Sequence, residues 1–190
     1  KLAQEAQGAN LEYIELPIEH SIPMIGDGAS NYDGVGELLR HLLPNVPGSN
    51  ITELLPPVEG ELLDWEKYGE LKEFDQNEFI DNPEGKYHGM QDNGFVFYPY
   101  PCVEDEAMCN LHVVLHGCTG GQRPNIIENG GRYWGKYAAS NNFIVLFPFV
   151  DECWDTYAYT GDNYATNQGI QPKALMAMID RVTSERNPIY

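Results

Sequence analysis

The C-terminal half of the chain alternates continuous apolar runs with amphipathic segments. Residues 111–115 (LHVVL) and 143–150 (FIVLFPFV) are apolar runs of strand type, and the second is typical of a strand buried on both faces. Residues 130–142 and 171–186 carry apolar side chains at helical spacing. This order of strand, helix, strand and helix predicts a parallel sheet covered by helices, and therefore an α/β fold.

The N-terminal half contains shorter elements separated by proline and glycine. Residues 11–16 (LEYIEL) alternate apolar and polar positions as a strand does, and Asp33 is placed to cap a helix over residues 35–43. Residues 94–100 (GFVFYPY) are predicted to form a β-hairpin with residues 110–117 (NLHVVLHG) across a short acidic loop.

We interpret residues 1–190 as a single α/β domain with three parts. Residues 1–45 hold a histidine-bearing loop and the helix that follows it. Residues 46–90 form a proline-rich, loop-rich crossing, with a short strand expected at residues 70–74. Residues 91–190 hold the glycine-loop strand, the strand and helix units and the C-terminal helix.

Composition and charge exclude several classes of partner. The 190 residues are 42% hydrophobic, which suffices for one globular domain. The net charge of −18, from 29 acidic against 11 basic residues, argues against nucleic acid or anionic lipid as a partner. No apolar run approaches the ~18 residues of a membrane span. No secretory leader is visible, but the chain does not begin with Met, so we expect a processed product or part of something longer.

The four cysteines are expected to form disulfides. Cys102 and Cys109 flank the acidic loop, Cys118 lies in a glycine-rich loop and Cys153 lies in the segment ECWD. None of these spacings is that of a zinc site, and no calcium-loop or cofactor motif is present, so neither a metal nor a cofactor is expected. Disulfides and the sequon NIT, which makes Asn50 a glycosylation candidate, indicate a secreted protein.

The strand at residues 111–115 ends in HGCTGG, a loop with almost no side-chain bulk. Hydrolases use the backbone N–H groups of such a loop to hold an oxyanion, while an ordinary glycine-rich turn is the alternative. A phosphate loop is excluded because no Gly-Lys-Ser/Thr follows. None of the five serines lies in a G-x-S-x-G nucleophile turn, and Ser30 in GASNY comes nearest. The nucleophile of a serine hydrolase would therefore lie outside this chain.

Two other residues are candidates for a site, and a third residue is expected to be structural. His20 follows a predicted strand and is the best candidate for a general base, with a surface histidine as the alternative. His116 adjoins the glycine loop, and we expect a structural role for it. Trp154 follows a cysteine and lies near several tyrosines, so the residues alone leave open whether it is core or lines an apolar substrate groove.

Several stretches taken together resemble the extracellular poly(3-hydroxybutyrate) depolymerases. The similarity is to the group whose catalytic domain is a circularly permuted α/β-hydrolase. It extends over roughly residues 11 to 184 and includes LEYIELPIEHSIPM, NYDGVGELLRHLL, LKEFDQNEF, HGMQDNGFVFYPYPC, CNLHVVLHGC, YAASNNFIVLFP and CWDTYAYTGDNYATNQGIQPKALMAMIDRV.

The resemblance implies a role for each candidate residue. His20 would be the triad base, and the backbone N–H of Cys118 would be one oxyanion donor. Trp154 would lie by the crevice that binds the polymer. Cys102 and Cys109 match a cysteine pair of the family, which leaves Cys118 and Cys153 to pair with each other.

The resemblance also implies that this chain is the C-terminal portion of the fold, with a mostly parallel sheet that is incomplete without an upstream segment or a companion subunit. The nucleophilic serine and the triad acid would lie outside it. We therefore expect part of a secreted serine ester hydrolase acting on an ester or polyester. A non-catalytic extracellular structural or assembly protein on the same fold is the alternative. This chain has Thr119, Gly120 and Gly121 where the family often has Gln, which suits that alternative.

Overall fold

A computed structural model describes residues 32–45, 49, 51–60, 63–82, 84–104, 109–118, 127–128 and 131–184. The predicted strand at residues 11–16, the candidate base His20 and the sequon residue Asn50 lie outside these ranges. Among the residues described, no helix is both long enough and apolar enough to cross a membrane.

The predicted helices form, with boundaries shifted by a few residues. Asp33 caps the first helix, because its side chain accepts a hydrogen bond from the Gly36 N–H at 2.9 Å. Val35 and Leu39 form the buried face of that helix. The α-helices of the described part are α1 (Gly34–Leu42), α2 (Trp65–Tyr68), α3 (Tyr100–Glu104), α4 (Gly131–Asn141) and α5 (Ile170–Ser184).

Four strands form one mixed sheet in the order β1-β2-β4-β3. The pair β3 and β4 is parallel and is connected through α4, as the strand and helix order predicts. The pairs β1–β2 and β2–β4 are antiparallel. The strands are β1 (Gly69–Asp75), β2 (Asn93–Pro99), β3 (Asn110–Val113) and β4 (Phe143–Phe147).

Two expectations about the sheet are wrong for the described strands. The segment at 94–100 does not form a hairpin with the segment at 110–117, because β4 lies between β2 and β3. The sheet is also mixed rather than mostly parallel, since only one of its three strand pairs is parallel. Strand β4 is the most apolar of the four strands. It lies inside the sheet because a strand in that position is buried on both of its faces.

Two hydrophobic clusters cover the two faces of the sheet. All five residues of β4 are buried. Phe143, Val145 and Phe147 pack in the cluster that contains the buried residues of α1 and α4. Ile144 and Leu146 pack in the cluster that contains the buried residues of α5. The sheet therefore has helices on both faces, which is the layered arrangement of an α/β protein.

Candidate functional site

The loops after β3 and β4 leave the sheet at the same edge, because the two strands are parallel. The N–H of Val114 donates to the carbonyl of Leu146 at 2.9 Å, so the pairing continues one residue beyond β3. After β4, Val150 forms an antiparallel bridge with Met90. In open α/β sheets, ligands bind outside the carboxyl ends of the strands. The glycine loop and the Trp154 segment both begin at this edge.

A disulfide between Cys118 and Cys153 joins these two loops, with Cα atoms 4.0 Å apart. Cys118 is exposed and Cys153 is half-buried. A second disulfide, between Cys102 and Cys109, lies just before β3, at the opposite end of that strand. The expectation of disulfide bonds is confirmed. The Cys118–Cys153 disulfide bonds the glycine loop to the residue that directly precedes Trp154.

The ring of His116 lies between the two loops. Its Nε2 accepts the N–H of Val150 at 3.0 Å, and its Nδ1 lies 2.6 Å from the carbonyl of Gly117. The ring stacks on Phe149, with centroids 5.4 Å apart, and lies 5.9 Å from the ring of Trp154. His116 therefore contacts both strand ends and both candidate segments.

Trp154 is half-buried and packs against the hydrophobic cluster that contains α5. Its indole N–H is buried and has no hydrogen-bond partner among the residues described. The residue is therefore packed against the core while it keeps part of its surface exposed. The packing supports the core alternative for Trp154, and a groove that binds substrate stays a prediction.

Sequence reasoning missed two polar residues that hold the Trp154 segment in place. Gln171 in α5 is only 2% exposed. Its Oε1 accepts the N–H of Asp155 at 2.8 Å, and its Nε2 donates to the carbonyl of His88 at 2.9 Å and to the hydroxyl of Tyr159 at 2.7 Å. A single buried amide leaves no periodic signal in a sequence, so only its position after a turn, at the start of an amphipathic segment, hinted at such a role.

The carboxylate of Asp155 closes the turn that follows Trp154. Its two oxygens accept the N–H groups of Tyr157, Tyr159 and Thr160 at 2.8–3.1 Å, and the Thr160 hydroxyl at 2.6 Å. Desolvation raises the pKa of Asp155, but these hydrogen bonds outweigh it and lower the pKa below its ordinary value. The ionised carboxylate therefore stabilises this turn.

His112 is not suited to act as a general base near pH 7. Burial in β3 lowers its pKa to about 4, and its ring stacks on Trp134 with centroids 4.6 Å apart. A base with so low a pKa drives proton abstraction weakly at neutral pH. Of the described residues, no group of three or more His, Cys, Asp or Glu side chains could hold a metal ion.

The residues singled out from the sequence divide into three sets. His116, Cys118, Cys153 and Trp154 lie together at the carboxyl ends of β3 and β4. The Cys102–Cys109 disulfide lies away from them, and His20 and Asn50 lie outside the described residues.

Two relatives have sequences similar to this chain. It is 34% identical over 171 residues to the poly(3-hydroxybutyrate) depolymerase of Delftia acidovorans, a match of 85% of this chain and 30% of that protein. It is 25% identical over 177 residues to the polyhydroxybutyrate depolymerase of Talaromyces funiculosus, a match of 81% of this chain and 46% of that protein. No protein-family model matches the chain.

Two solved structures share the fold. The crystal structure of PHB depolymerase from Penicillium funiculosum matches with a TM-score of 0.60 and 26% identity, over 81% of this chain and 49% of that one. A serine-to-alanine variant of PHB depolymerase complexed with an R3HB trimer matches with a TM-score of 0.61 and 24% identity, over 90% and 55%. The chain thus spans about half the length, or less, of the relatives that it matches.

Proposed function

The chain belongs to the poly(3-hydroxybutyrate) depolymerase family, and from this premise we propose that it is part of a secreted serine ester hydrolase acting on a polyester. The observation that carries the proposal is the joining of the glycine loop to the Trp154 segment by the Cys118–Cys153 disulfide, at the carboxyl ends of two parallel strands. The names of the relatives supply the class of reaction and of substrate.

In this proposal the chain supplies two parts of the catalytic machinery. His20 takes the proton from a serine hydroxyl as the serine oxygen attacks the ester carbonyl, and then gives that proton to the leaving alcohol. The backbone N–H of Cys118 donates to the oxyanion that forms on the carbonyl oxygen. Water then hydrolyses the acyl-enzyme by the same route. A donor of this kind contributes about 10²–10³ in kcat.

Trp154 contacts the acyl part of the substrate in this proposal. Its half-buried ring lies beside the His116 ring and one residue from the disulfide. An aromatic ring anchored in the core offers a rigid apolar surface at small entropic cost. A relative in complex with an R3HB trimer supports a short hydroxybutyrate oligomer as the ligand to test.

We also propose that the domain is one portion of a circularly permuted α/β-hydrolase and that another strand completes its sheet at β3. The Val114 N–H points toward β4, and the backbone N–H and C=O groups of successive residues in a strand point to opposite sides. The backbone groups of Leu111 and Val113 therefore point away from β4. Among the described strands, only β4 pairs with β3. All four residues of β3 are half-buried, whereas those of β4 are buried. An open apolar edge is an aggregation liability, so we assign it to a strand of the longer protein that also carries the serine.

The first test is labelling of the source protein with a fluorophosphonate probe, read on a denaturing reducing gel. We expect label on a band well above 21.4 kDa, the mass of this chain. Label on a separate companion band would instead assign the serine to another subunit. Label on a band of 21.4 kDa would overturn the placement of the nucleophile. An intact native protein without any label would favour the non-catalytic structural or assembly protein.

Matched variants of the labelled protein then test the residue roles. Cys118→Pro removes both the disulfide and the backbone N–H, whereas Cys118→Ala removes only the disulfide. We expect the proline variant to lose about 10²–10³ more in kcat than the alanine variant. His20→Ala should abolish hydrolysis, while His41→Ala, at an exposed position of α1, should not change it. Equal activity of the two Cys118 variants would exclude this N–H as the donor.

A further inference from the structure

The hydrogen bonds of His116 determine which of its ring nitrogens carries the proton. The Val150 N–H is a donor, so Nε2, 3.0 Å away, must be the acceptor. A neutral imidazole with a bare Nε2 carries its proton on Nδ1. Nδ1 lies 2.6 Å from the carbonyl oxygen of Gly117, so the Nδ1–H donates to that oxygen.

This second hydrogen bond fixes a peptide plane in the glycine loop. The carbonyl of Gly117 and the N–H of Cys118 belong to one peptide unit, and no cis peptide bond occurs in the described part of the chain. In a trans peptide the C=O and N–H bonds point in opposite directions. With the Gly117 carbonyl held against the His116 ring, the Cys118 N–H points away from that ring.

The ring itself is fixed by the end of β4. It stacks on Phe149, and the N–H of Phe149 donates to the Oε1 of Gln76 at 2.9 Å. The side chain of Gln76 is completely buried, so this contact belongs to the rigid core. His116 therefore links the glycine loop to Val150, just after β4, and through this link the end of β4 fixes the position of the loop.

We propose that His116 is a positioning residue that aims the Cys118 N–H at the oxyanion. This inference rests on the proposed esterase function and adds to it the residue that orients the donor. The alternative is that His116 only fills space between Phe149 and Trp154. The two roles differ because positioning requires the Nδ1–H bond to Gly117, whereas packing requires only the ring volume.

Two substitutions separate the two hydrogen bonds. In His116→Asn, the amide nitrogen occupies the position of Nδ1 and can still donate to the Gly117 carbonyl. In His116→Gln, the terminal amide reaches the position of Nε2 and can still accept from Val150. Both variants lose the ring and its stacking, so they are matched controls for packing.

The experiment measures kcat and KM of the full-length protein, with its serine, on a soluble short-chain p-nitrophenyl ester. Both variants should lose activity, but His116→Gln should lose roughly tenfold more in kcat than His116→Asn, with KM within about twofold of each other. The split is expected in kcat because an oxyanion donor acts in the transition state. Equal kcat values for the two variants, or a difference confined to KM, would overturn the positioning role.

Long-range ¹⁵N–¹H correlation NMR of the imidazole supplies a second readout, independent of activity. The signal absent from His116→Gln identifies His116, and we expect a protonated Nδ1 and a bare Nε2. The opposite tautomer would overturn the proposal even in an active enzyme. A wild-type protein without ester hydrolysis would overturn the proposed function, and with it the catalytic part of this inference, whatever the tautomer.

Discussion

Replacing Gln171 by leucine tests how firmly the Trp154 segment is held. The buried amide makes three hydrogen bonds, to the Asp155 N–H, the His88 carbonyl and the Tyr159 hydroxyl. A lost bond costs about 0.5–1.5 kcal/mol where water replaces the partner and about 1–3 kcal/mol where it does not. Asp155 and His88 are half-buried, so the costs of losing the bonds to the Asp155 N–H and the His88 carbonyl lie between these two limits. After about 1 kcal/mol is regained from the apolar side chain, we expect a loss of about 2–4 kcal/mol.

The assay is urea unfolding followed by tryptophan fluorescence, with the free energy of unfolding extrapolated to water. Gln168→Leu is the matched control, because the same substitution three residues earlier is at an exposed position. That control should change the free energy of unfolding by less than about 0.5 kcal/mol. If Gln171→Leu also cost less than about 1 kcal/mol, water would be satisfying the three groups and the reasoning would be refuted.

Gln171→Glu extends the same test to pH. The ionised carboxylate could accept from the Asp155 N–H but could not donate to the His88 carbonyl, so the protonated form is favoured in the folded state. The folded-state pKa of this Glu is then raised above its unfolded value of about 4.3. Its contribution to stability is complete at low pH and is lost as pH rises through that folded pKa. An unfolding free energy that is independent of pH relative to wild type, between pH 4 and 7, would contradict the hydrogen-bond assignment.

Three further predictions concern stability. Replacing Cys118 and Cys153 by Ser should cost about 3–4 kcal/mol, roughly 1 kcal/mol more than removing the Cys102–Cys109 disulfide. The reason is that the first pair is 35 residues apart in sequence and the second pair only 7. Thermal unfolding of the two double variants checks this order, and the opposite order would refute loop entropy as the cause. Burial lowers the folded-state pKa of His112 to about 4, below the unfolded value of about 6.5. The contribution of His112 to stability should therefore be complete above pH 6.5, and the free energy of unfolding should fall by about 3 kcal/mol as pH drops to 4. Urea denaturation across that range should lose this pH dependence in His112→Phe, and a persistent dependence would assign it to other groups. Gly135→Ala should destabilise the protein by about 1–2 kcal/mol, because the added methyl group would overlap the ring of Trp65. This cost should exceed the gain from the better helix propensity of alanine. A Tm above that of the wild type would show that the overlap does not occur.

The sequence predicted the elements that local patterns determine. Asp33 as a cap, the buried run of β4 and the helical spacing of α4 and α5 depend on residues within a few positions of each other, where side-chain periodicity and capping act. The parallel pair of β3 and β4 also followed, because a helix between two strands allows such a crossover.

Strand pairing beyond that unit required the tertiary structure. The segments 94–100 and 110–117 are neighbours in sequence and look like a hairpin, but β4, far along the chain, inserts between them. Its five buried residues gain more from a central position, with a hydrophobic cluster on each face, than a hairpin would gain from a short loop.

The candidate site shows the same division. The sequence determined the chemistry of the individual residues: a bare loop around Cys118, a histidine beside it and a tryptophan after a cysteine. The tertiary structure decided that His116, Cys118 and Trp154 meet, and it showed the buried amide of Gln171 that holds the last of them. The physical reason is that burial and hydrogen bonding between segments distant in sequence depend on how the sheet is assembled, and a local pattern does not record that assembly.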